Sequence, residues 1–248
     1  MASTNERYRL FEAARVAYEP RYVRLLTAAL NASIAPALAA ADAGAAPEVC
    51  AALVQAAPLR AVLVELYQRV GVAFAKAEYR QLTRQRKAFA PPPVVTGWLN
   101  RLRHFLTTEA PARLKDMVDT TRTLVTTTLV KAGEMGLGVE ESARLLRQKV
   151  AELTPGRAVV IAQTELVAGS NYGSFIGAEA TGLALDKYWI ATKDGRTRPS
   201  HVVADQQTVD MKALFTVGGY AAKYPGDPQL PAAEVIRCRC ALGYKPKE

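Results

Sequence analysis

The sequence predicts an α+β protein: a mostly α-helical N-terminal region followed by a small α+β C-terminal domain with a short sheet. Two observations lead to this prediction. Up to about residue 153, apolar side chains recur at spacings of three and four residues between isolated prolines. From Leu185 onward, short alternating and β-branched stretches are separated by Gly and Pro turns. We therefore expect a helical region over 1–153 and a second domain over 154–248.

The helical region contains one well-marked amphipathic stretch. Its apolar side is formed by Leu59, Val62, Leu66, Val70, Phe74 and Ala77. Proline disrupts the interior of a helix but is tolerated in its first turn, so each proline in this region indicates a helix boundary. These prolines are Pro20, Pro36, Pro47 and Pro58. The proline-rich break at 90–93 predicts a stiff linker.

Further helices are predicted over 98–106, 114–135 and 139–150, with Gly136 and Gly138 as a C-cap after the second. Thr154 followed by Pro155 is typical of a helix start, and this helix should run to about Gly182. Strands are predicted over 185–192 and, at the end of the chain, over 235–242.

Composition excludes several classes of protein. The chain has 248 residues, is 50% hydrophobic and 22% charged, and carries a formal net charge of +9, which argues against wholesale disorder. No uninterrupted apolar run reaches the roughly 18 residues of a membrane span, so no membrane partner is expected. The N-terminus lacks the apolar core of a secretory signal, which favours synthesis in the cytoplasm. Three cysteines do not make a disulfide framework.

The positive charge is concentrated near the N-terminus, where residues 1–90 hold 12 Lys and Arg against 7 Asp and Glu. Five of these cations are spaced seven, four, four and three residues apart, which places them on one face of a continuous helix. They are Arg69, Lys76, Arg80, Arg84 and Lys87. Such a face suits a phosphate backbone or an acidic protein surface. The alternative is a solvated face that only aids solubility.

Cys238-Arg239-Cys240 forms a second group of interest. On a strand, residues i and i+2 point to the same side, so both thiols would face one way without bridging each other. Two soft ligands of this kind suit Zn²⁺, with His201 as a third ligand and Asp194 or Asp205 as a fourth. The alternative is that both thiols are buried and only pack the strand.

His201 also has acidic residues near it in the predicted fold. With Asp205 and Glu165 it could perform general acid and base chemistry, as in a metal-assisted nuclease or other hydrolase. No nucleophile elbow, phosphate-binding Gly-rich loop or zinc-protease helix accompanies it. The alternative is a structural histidine that binds Asp194 or Asp205 and fixes a loop.

A series of motifs runs through the last 95 residues in a characteristic order. It consists of Thr164-Glu165, Asn171, Trp189, Asp194, Arg198-Pro199-Ser200-His201, Ala204-Asp205-Gln206, Tyr224-Pro225-Gly226 and Cys238-Arg239-Cys240. This series resembles the phage Mu protein F-like domain of minor head proteins, the phage head morphogenesis domain, over about residues 154–248. One departure is Gln206, where that family tends to have Gly.

The resemblance implies a structural minor capsid protein of a tailed bacteriophage, without an established catalytic residue. Such a protein is made in the host cytoplasm and resides in the virion, inside the head near the portal. It acts in head morphogenesis and in DNA packaging or ejection. The implied partners are the portal protein, the major capsid protein and packaged double-stranded DNA. An enzyme delivered with the phage genome is the alternative that the resemblance leaves open.

Overall fold

The structure is a computed structural model that describes residues 4–85, 95–109 and 111–247. Helices occupy most of this part of the chain. They are α1 (Thr4–Val16), α2 (Glu19–Asp42), α3 (Pro47–Ala52), α4 (Ala57–Leu66), α5 (Val72–Gln85), α6 (Val95–His104), α7 (Pro111–Glu134), α8 (Val139–Glu179), α9 (Pro199–Ala204) and α10 (Ala232–Val235). Two π-helical turns, Tyr67–Gly71 and Phe105–Glu109, directly follow α4 and α6.

Five short strands follow α8. They are β1 (Leu185–Ile190), β2 (Thr208–Asp210), β3 (Phe215–Val217), β4 (Tyr220–Ala222) and β5 (Ala241–Pro246). An antiparallel sheet has the order β2-β1-β5, and β3 pairs with β4 in a separate hairpin. Tyr188 of β1 lies opposite Gly243 of β5. A Cβ atom at this glycine would meet the Tyr188 ring at 2.0 Å, so the ring lies across the strand where only glycine leaves room.

The predicted fold class is confirmed: the protein is α+β, mostly helical, with a small sheet in its C-terminal part. Two predicted helix boundaries are wrong, because α2 continues through Pro36 and α8 continues through Pro155. Pro47 does begin a helix. Since α8 is uninterrupted at residues 153 and 154, the predicted domain boundary falls inside a helix. The proline-rich break at 90–93 lies outside the described residues.

The predicted apolar stripe is correct up to Phe74 and wrong at Ala77, which is exposed. The π-turn at Tyr67–Gly71 inserts an extra residue per turn, which shifts the helical phase of everything after it. After the turn, the buried positions of α5 are therefore Phe74, Ala75, Glu78, Tyr79 and Leu82. The sequence pattern alone has no feature that marks this shift.

The chain divides into two compact units. The first contains Met1–Pro20, Glu65–Glu109 and Ala162–Glu248, and the second contains Arg21–Val64 and Ala110–Ile161. The described residues of the second unit form helices and the turns between them, and α3 packs against α7 within it. All five strands belong to the first unit.

Close helix packing organises the first unit. A Cβ atom at Gly173 would meet the backbone oxygen of Gly71 at 2.2 Å, and one at Gly177 would meet that of Ala75 at 2.4 Å. These two glycines of α8 therefore let its backbone touch the π-turn and α5 directly. Larger residues at either position would push the two segments apart.

Two helical stretches, Thr4–Asp42 and Pro47–Arg84, have the length and mean hydropathy (1.4 and 1.7) of a membrane span, and about a third of each apolar window is buried inside the protein. Core helices of other proteins have the same properties. The expectation of no membrane partner remains a prediction.

Candidate metal centre

Three side chains that the sequence singled out meet in the C-terminal part of the first unit. His201, Cys238 and Cys240 are all buried, and their ligand atoms lie within 4.8 Å of one another. The Nδ1 atom of His201 is 3.3 Å from Sγ of Cys240 and 3.7 Å from Sγ of Cys238. Among the residues that the structure describes, this is the His, Cys, Asp or Glu cluster with the spacing of metal ligands.

The two cysteines lie in the connection between α10 and β5, so the predicted strand over 235–242 is wrong. The first residue of the predicted strand, Val235, ends the short helix α10, which Pro231 caps. The strand itself begins only at Ala241. The sulfurs nevertheless point the same way, because the backbone N–H of Cys240 donates to Sγ of Cys238 at 3.4 Å and folds the loop around it.

Two polar residues of α8 hold this loop in place. The side chain of Asn171 donates to the carbonyl of Cys240 and accepts from the N–H of Leu242, both at 3.0 Å. The hydroxyl of Thr164 accepts from the N–H of Arg237 at 3.1 Å. Both side chains are buried, where an unpaired backbone group is costly. These motif residues therefore fix the path of the cysteine loop.

His201 is oriented from the opposite side of its ring. Its Nε2 atom lies 2.9 Å from Oε2 of Glu234, an ion-pair distance, although no directed hydrogen bond forms at Nε2 within the described chain. Ser200 donates to the same oxygen of Glu234 at 2.8 Å. Gly218 leaves room for this carboxylate, since a Cβ there would meet Oε1 of Glu234 at 2.6 Å. Trp189 packs edge-on against the ring.

The three groups influence one another's protonation. The hydrogen bond with Cys240 lowers the pKa of Cys238 well below its ordinary value, with His201 adding to the effect against burial. Cys238 and burial together raise the pKa of Cys240. Burial disfavours a charged His201, but its hydrogen bond and charge interaction with Cys238 outweigh this and raise its pKa. The three side chains thus shift one another's pKa values because they lie in direct contact.

The donor set and its spacing fit a zinc ion. Tetrahedral Zn²⁺ with ordinary Zn–S and Zn–N bond lengths separates a sulfur from a nitrogen by about 3.6 Å. The two observed separations, 3.3 and 3.7 Å, bracket this value. Nδ1 would bind the metal while Nε2 faces Glu234, which is how carboxylates commonly orient metal-binding histidines. Glu234 is therefore placed to position His201 rather than to bind the metal.

A pocket opens onto this centre from the side of the sulfurs. It is lined by Thr192, Arg196, Thr197, Arg198, His201, Arg237, Cys238, Arg239 and Cys240. Glu234 is not among these residues, which agrees with its position behind the histidine ring. A zinc ion held by His201, Cys238 and Cys240 would have the pocket on its remaining side, where a fourth ligand could bind.

The two aspartates that the sequence offered as fourth ligands are engaged elsewhere. The carboxylate of Asp194 accepts hydrogen bonds from two guanidinium nitrogens of Arg239, at 2.5 and 2.8 Å. These hydrogen bonds hold the pKa of Asp194 well below its usual range. Asp205 accepts from the N–H of Ala191 at 2.9 Å and pairs with Lys193 at 3.4 Å. Both carboxylates fix the loops around the pocket.

The proposed acid and base group of His201, Asp205 and Glu165 is not assembled. Glu165 is buried and accepts a hydrogen bond from Tyr67 at 2.7 Å. His201 has Glu234 and the two cysteines as neighbours instead. The structural reading of His201 as a partner of Asp194 or Asp205 is likewise replaced by contact with Glu234.

The remaining motif residues shape the same region. Trp189 is fully buried, and Arg198 donates to the carbonyl of Ile236 at the pocket rim. The turn at Pro225 and Gly226 approaches α8 closely: Gly226 has φ +84°, and a Cβ there would meet Cα of Ala168 at 2.9 Å. Gln206 has φ +61°, so this glutamine keeps the left-handed backbone that a glycine would adopt there.

The basic face is only partly described. Arg69 lies in the π-turn, while Lys76, Arg80 and Arg84 follow at four-residue spacing on α5; the three arginines are exposed and Lys76 is half-buried. Lys87 lies outside the described residues. Arg69 thus precedes the regular α-helix that carries the other three. Its role in binding stays a prediction.

The sequence did not point to Glu234, and it offered Ser200 only as part of the motif Arg198-Pro199-Ser200-His201, without a role. Glu234 stands in no distinctive pattern, since it follows two alanines in a stretch that is typical of a protein surface. The single signal was the pair Ser200-His201, whose first member is adjacent to a candidate ligand. Only the fold brings α9 and α10 together.

Comparison with known proteins gives one informative similarity. The NAD(+)–arginine ADP-ribosyltransferase EFV of Enterococcus faecalis is 31% identical to the chain over 119 residues, which is 47% of this chain and 24% of that protein. The chain thus spans about a quarter of this relative's length. No protein-family profile and no solved structure matches the chain.

This similarity corrects the interpretation as a phage head protein. The named relative is an enzyme and not a capsid or head morphogenesis protein, so the structural role and the expected lack of enzymatic activity are both contradicted. The alternative, an enzyme, agrees better with this finding. The partners and the location in the virion that were expected with the first interpretation are not tested by it.

Proposed function

We propose that His201, Cys238 and Cys240 bind one zinc ion, and that this centre serves an enzyme of the ADP-ribosyltransferase kind. The observation that carries the metal site is the geometry of His201. One ring nitrogen lies 3.3 and 3.7 Å from the two sulfurs, close to the separation between two ligands of one zinc ion, and the other ring nitrogen faces the carboxylate of Glu234. Two sulfurs that converge on one ring nitrogen, with a carboxylate behind the other, form the arrangement that metal-binding histidines commonly have.

The chemistry of the site supports zinc over harder cations. Two thiolates and an imidazole are the ligands that Zn²⁺ accepts, whereas Mg²⁺ and Ca²⁺ take oxygen ligands. A zinc ion with three protein ligands and one open position acts as a Lewis acid toward whatever binds there. This chain's own residues hold the ligands in place: Asn171 and Thr164 hold the cysteine loop, and Glu234 holds the histidine.

The proposed activity rests on the partial similarity to the enterococcal enzyme. By its name, that relative transfers ADP-ribose from NAD(+) to arginine. Such a transfer releases nicotinamide, forms a bond from the ribose carbon to a guanidinium nitrogen, and frees one proton. We expect this protein to act on NAD(+) in the same way.

Metal analysis of the full chain, purified without chelators, tests the first half. We expect close to one zinc per chain in the wild type and far less in Cys240→Ser. Glu234→Gln keeps the shape of the side chain but removes its charge, and should weaken zinc binding by about tenfold to a hundredfold. Far less than one zinc per wild-type chain would contradict the metal site.

Nicotinamide release from NAD(+), with free arginine as acceptor, tests the second half. Arginine-dependent release by the zinc-loaded chain would support the proposed activity. A folded, zinc-loaded chain that releases no nicotinamide would contradict the activity and leave the metal site standing.

A further inference from the structure

A strongly basic pocket covers the open side of the metal centre. We propose that this pocket binds a phosphate group of a small-molecule substrate, whose oxygen takes the fourth coordination position of the metal. The inference has two halves. The coordination half, in which a phosphate oxygen binds the metal, rests on the proposed zinc site. The arginine half, in which the arginines bind the phosphate, rests on the pocket itself.

The charge of the pocket favours an anion. Four of its nine lining residues are arginines, and no Asp or Glu lines it: the arginines are Arg196, Arg198, Arg237 and Arg239. The nearby carboxylates of Asp194 and Glu234 offset two of the four positive charges. The two thiolates would offset the zinc ion. The site with its metal therefore keeps an excess of about two positive charges on the groups named here.

The four arginines are not equally engaged. Arg239 is held by Asp194 through two hydrogen bonds, and Arg198 donates to the carbonyl of Ile236. Arg196 is 82% exposed and lies 3.7 Å from Asp194, a weak contact in water. Within the described chain, the guanidinium of Arg237 has no hydrogen bond or ion pair. Arg196 and Arg237 are thus the two that can turn toward a ligand.

The backbone at Arg237 is held in an unusual conformation. Its φ is +57°, a left-handed value that is unfavourable for a non-glycine residue of this size. The hydroxyl of Thr164, buried in α8, accepts the N–H of this residue and helps to hold it there. The result places an uncommitted guanidinium directly before the first cysteine ligand.

Phosphate is an anion that arginine side chains are well suited to bind. Guanidinium groups offer paired N–H donors that match two oxygens of one phosphate, which a single-point cation does not. The pocket is partly open to solvent, so a phosphate group can reach the arginines that line it while the rest of the substrate extends outward past Arg196.

Titration of the metal-loaded full chain with inorganic phosphate tests the proposal. Calorimetry measures the affinity, and the visible spectrum of the Co²⁺-substituted chain reports whether the fourth ligand changes. We expect binding, a shift of the cobalt bands, and at least about tenfold weaker binding in the double variant Arg196→Gln/Arg237→Gln, because charge-assisted hydrogen bonds are lost. The matched control Arg103→Gln/Arg144→Gln removes two exposed charges, one from α6 and one from α8, and should bind phosphate like the wild type.

The outcomes separate this inference from the proposed function. If the chain holds metal but phosphate does not bind, or binds equally well without Arg196 and Arg237, the inference is wrong and the metal site stands. Binding without a band shift contradicts the coordination half. If no metal binds, the proposed metal site fails, and the coordination half with it; the same titration of the metal-free chain then decides the arginine half.

Discussion

The two compact units differ in the kind of polar group that they bury. Among the described residues of the second unit, the buried polar side chains are all hydroxyls: Ser33, Thr121, Thr128 and Thr154. The first unit buries ionisable groups as well: Arg7, Arg15, Glu78, Glu165, Lys187, His201 and Asp227. Burial of a charge is unfavourable unless it is paired.

The buried ionisable groups of the first unit are arranged in sets with a clear physical logic. Arg7 of α1 pairs with Glu78 of α5 at 2.6 Å and donates to the carbonyl of Leu242 in β5. Ser174 of α8 donates to the same carboxylate. This set joins three helices to the strand that follows the cysteine loop. The first unit thus buries charged groups around its candidate site at a cost in stability, whereas the second is stabilised by apolar packing.

The largest expected effect comes from removing a cysteine in each unit. Cys240→Ala should abolish zinc binding and lower the free energy of unfolding by more than about 3 kcal/mol, because metal binding is coupled to folding. Cys50 of the second unit is equally buried, but lies outside the cluster. Cys50→Ala should cost about 1 kcal/mol and leave zinc binding unchanged. If the two variants changed the zinc content and the free energy of unfolding equally, the proposed difference between the two units would be wrong.

The next effect is that of a buried hydrogen-bonding side chain. Asn171→Ala leaves the carbonyl of Cys240 and the N–H of Leu242 without partners, and should cost about 3 kcal/mol and weaken zinc binding. In the second unit, Thr121→Val removes contacts with Met117 and Arg157 and should cost about 1 kcal/mol. Chemical unfolding with zinc analysis measures both. A loss at Asn171 no larger than at Thr121 would argue against a positioning role.

Lys187 provides a pH-dependent test of the buried charge. Burial lowers its pKa from 10.5 to about 8, while its Nζ donates to the carbonyl of Lys223 at 2.9 Å. Between these values the unfolded chain keeps a proton that the folded chain has released. The free energy of unfolding should therefore rise with pH in this window, by up to about 1.4 kcal/mol per pH unit. Below about pH 8 both states are protonated and this contribution is flat.

The variant Lys187→Met should remove that slope, and Lys212→Met, at an exposed lysine of the same unit, should keep it. Denaturant unfolding across this pH range at constant ionic strength is the measurement. Parallel pH profiles for the wild type and Lys187→Met would show that the buried lysine does not carry the effect.

The smallest effect on stability belongs to the basic face of α5. Replacing Lys76, Arg80 and Arg84 together by Glu should change the free energy of unfolding by less than about 1 kcal/mol, since these groups lie mainly at the surface. It should also abolish retention of double-stranded DNA in a gel-shift experiment at low salt, if this face binds phosphate backbones. Unchanged retention, or none with the wild type, would rule out the DNA interaction.

The sequence predicted the fold class and pointed to His201, Cys238 and Cys240, which the structure brings together, for identifiable reasons. The helical spacing of apolar residues is a reliable signal over long segments. Two cysteines separated by a single residue are rare enough to draw attention to the nearest histidine as a third ligand. It did not predict the π-turn at Tyr67–Gly71, whose backbone lies directly against Gly173 of α8, a distant contact that the local pattern of apolar residues does not reveal. Glu234 escaped for a related reason. Its contact with His201 exists only once α9 and α10 have packed together.

Zinc K-edge X-ray absorption spectroscopy of the full chain tests the central claim most directly, because it reads the ligands of the metal rather than its presence. If His201, Cys238 and Cys240 bind the ion, the spectrum will show one zinc per chain with two sulfurs at about 2.3 Å and at least one nitrogen at about 2.0 Å. In Cys240→Ser, one sulfur should be lost. Zinc bound by nitrogen and oxygen alone, or no zinc in stoichiometric amount, would contradict it.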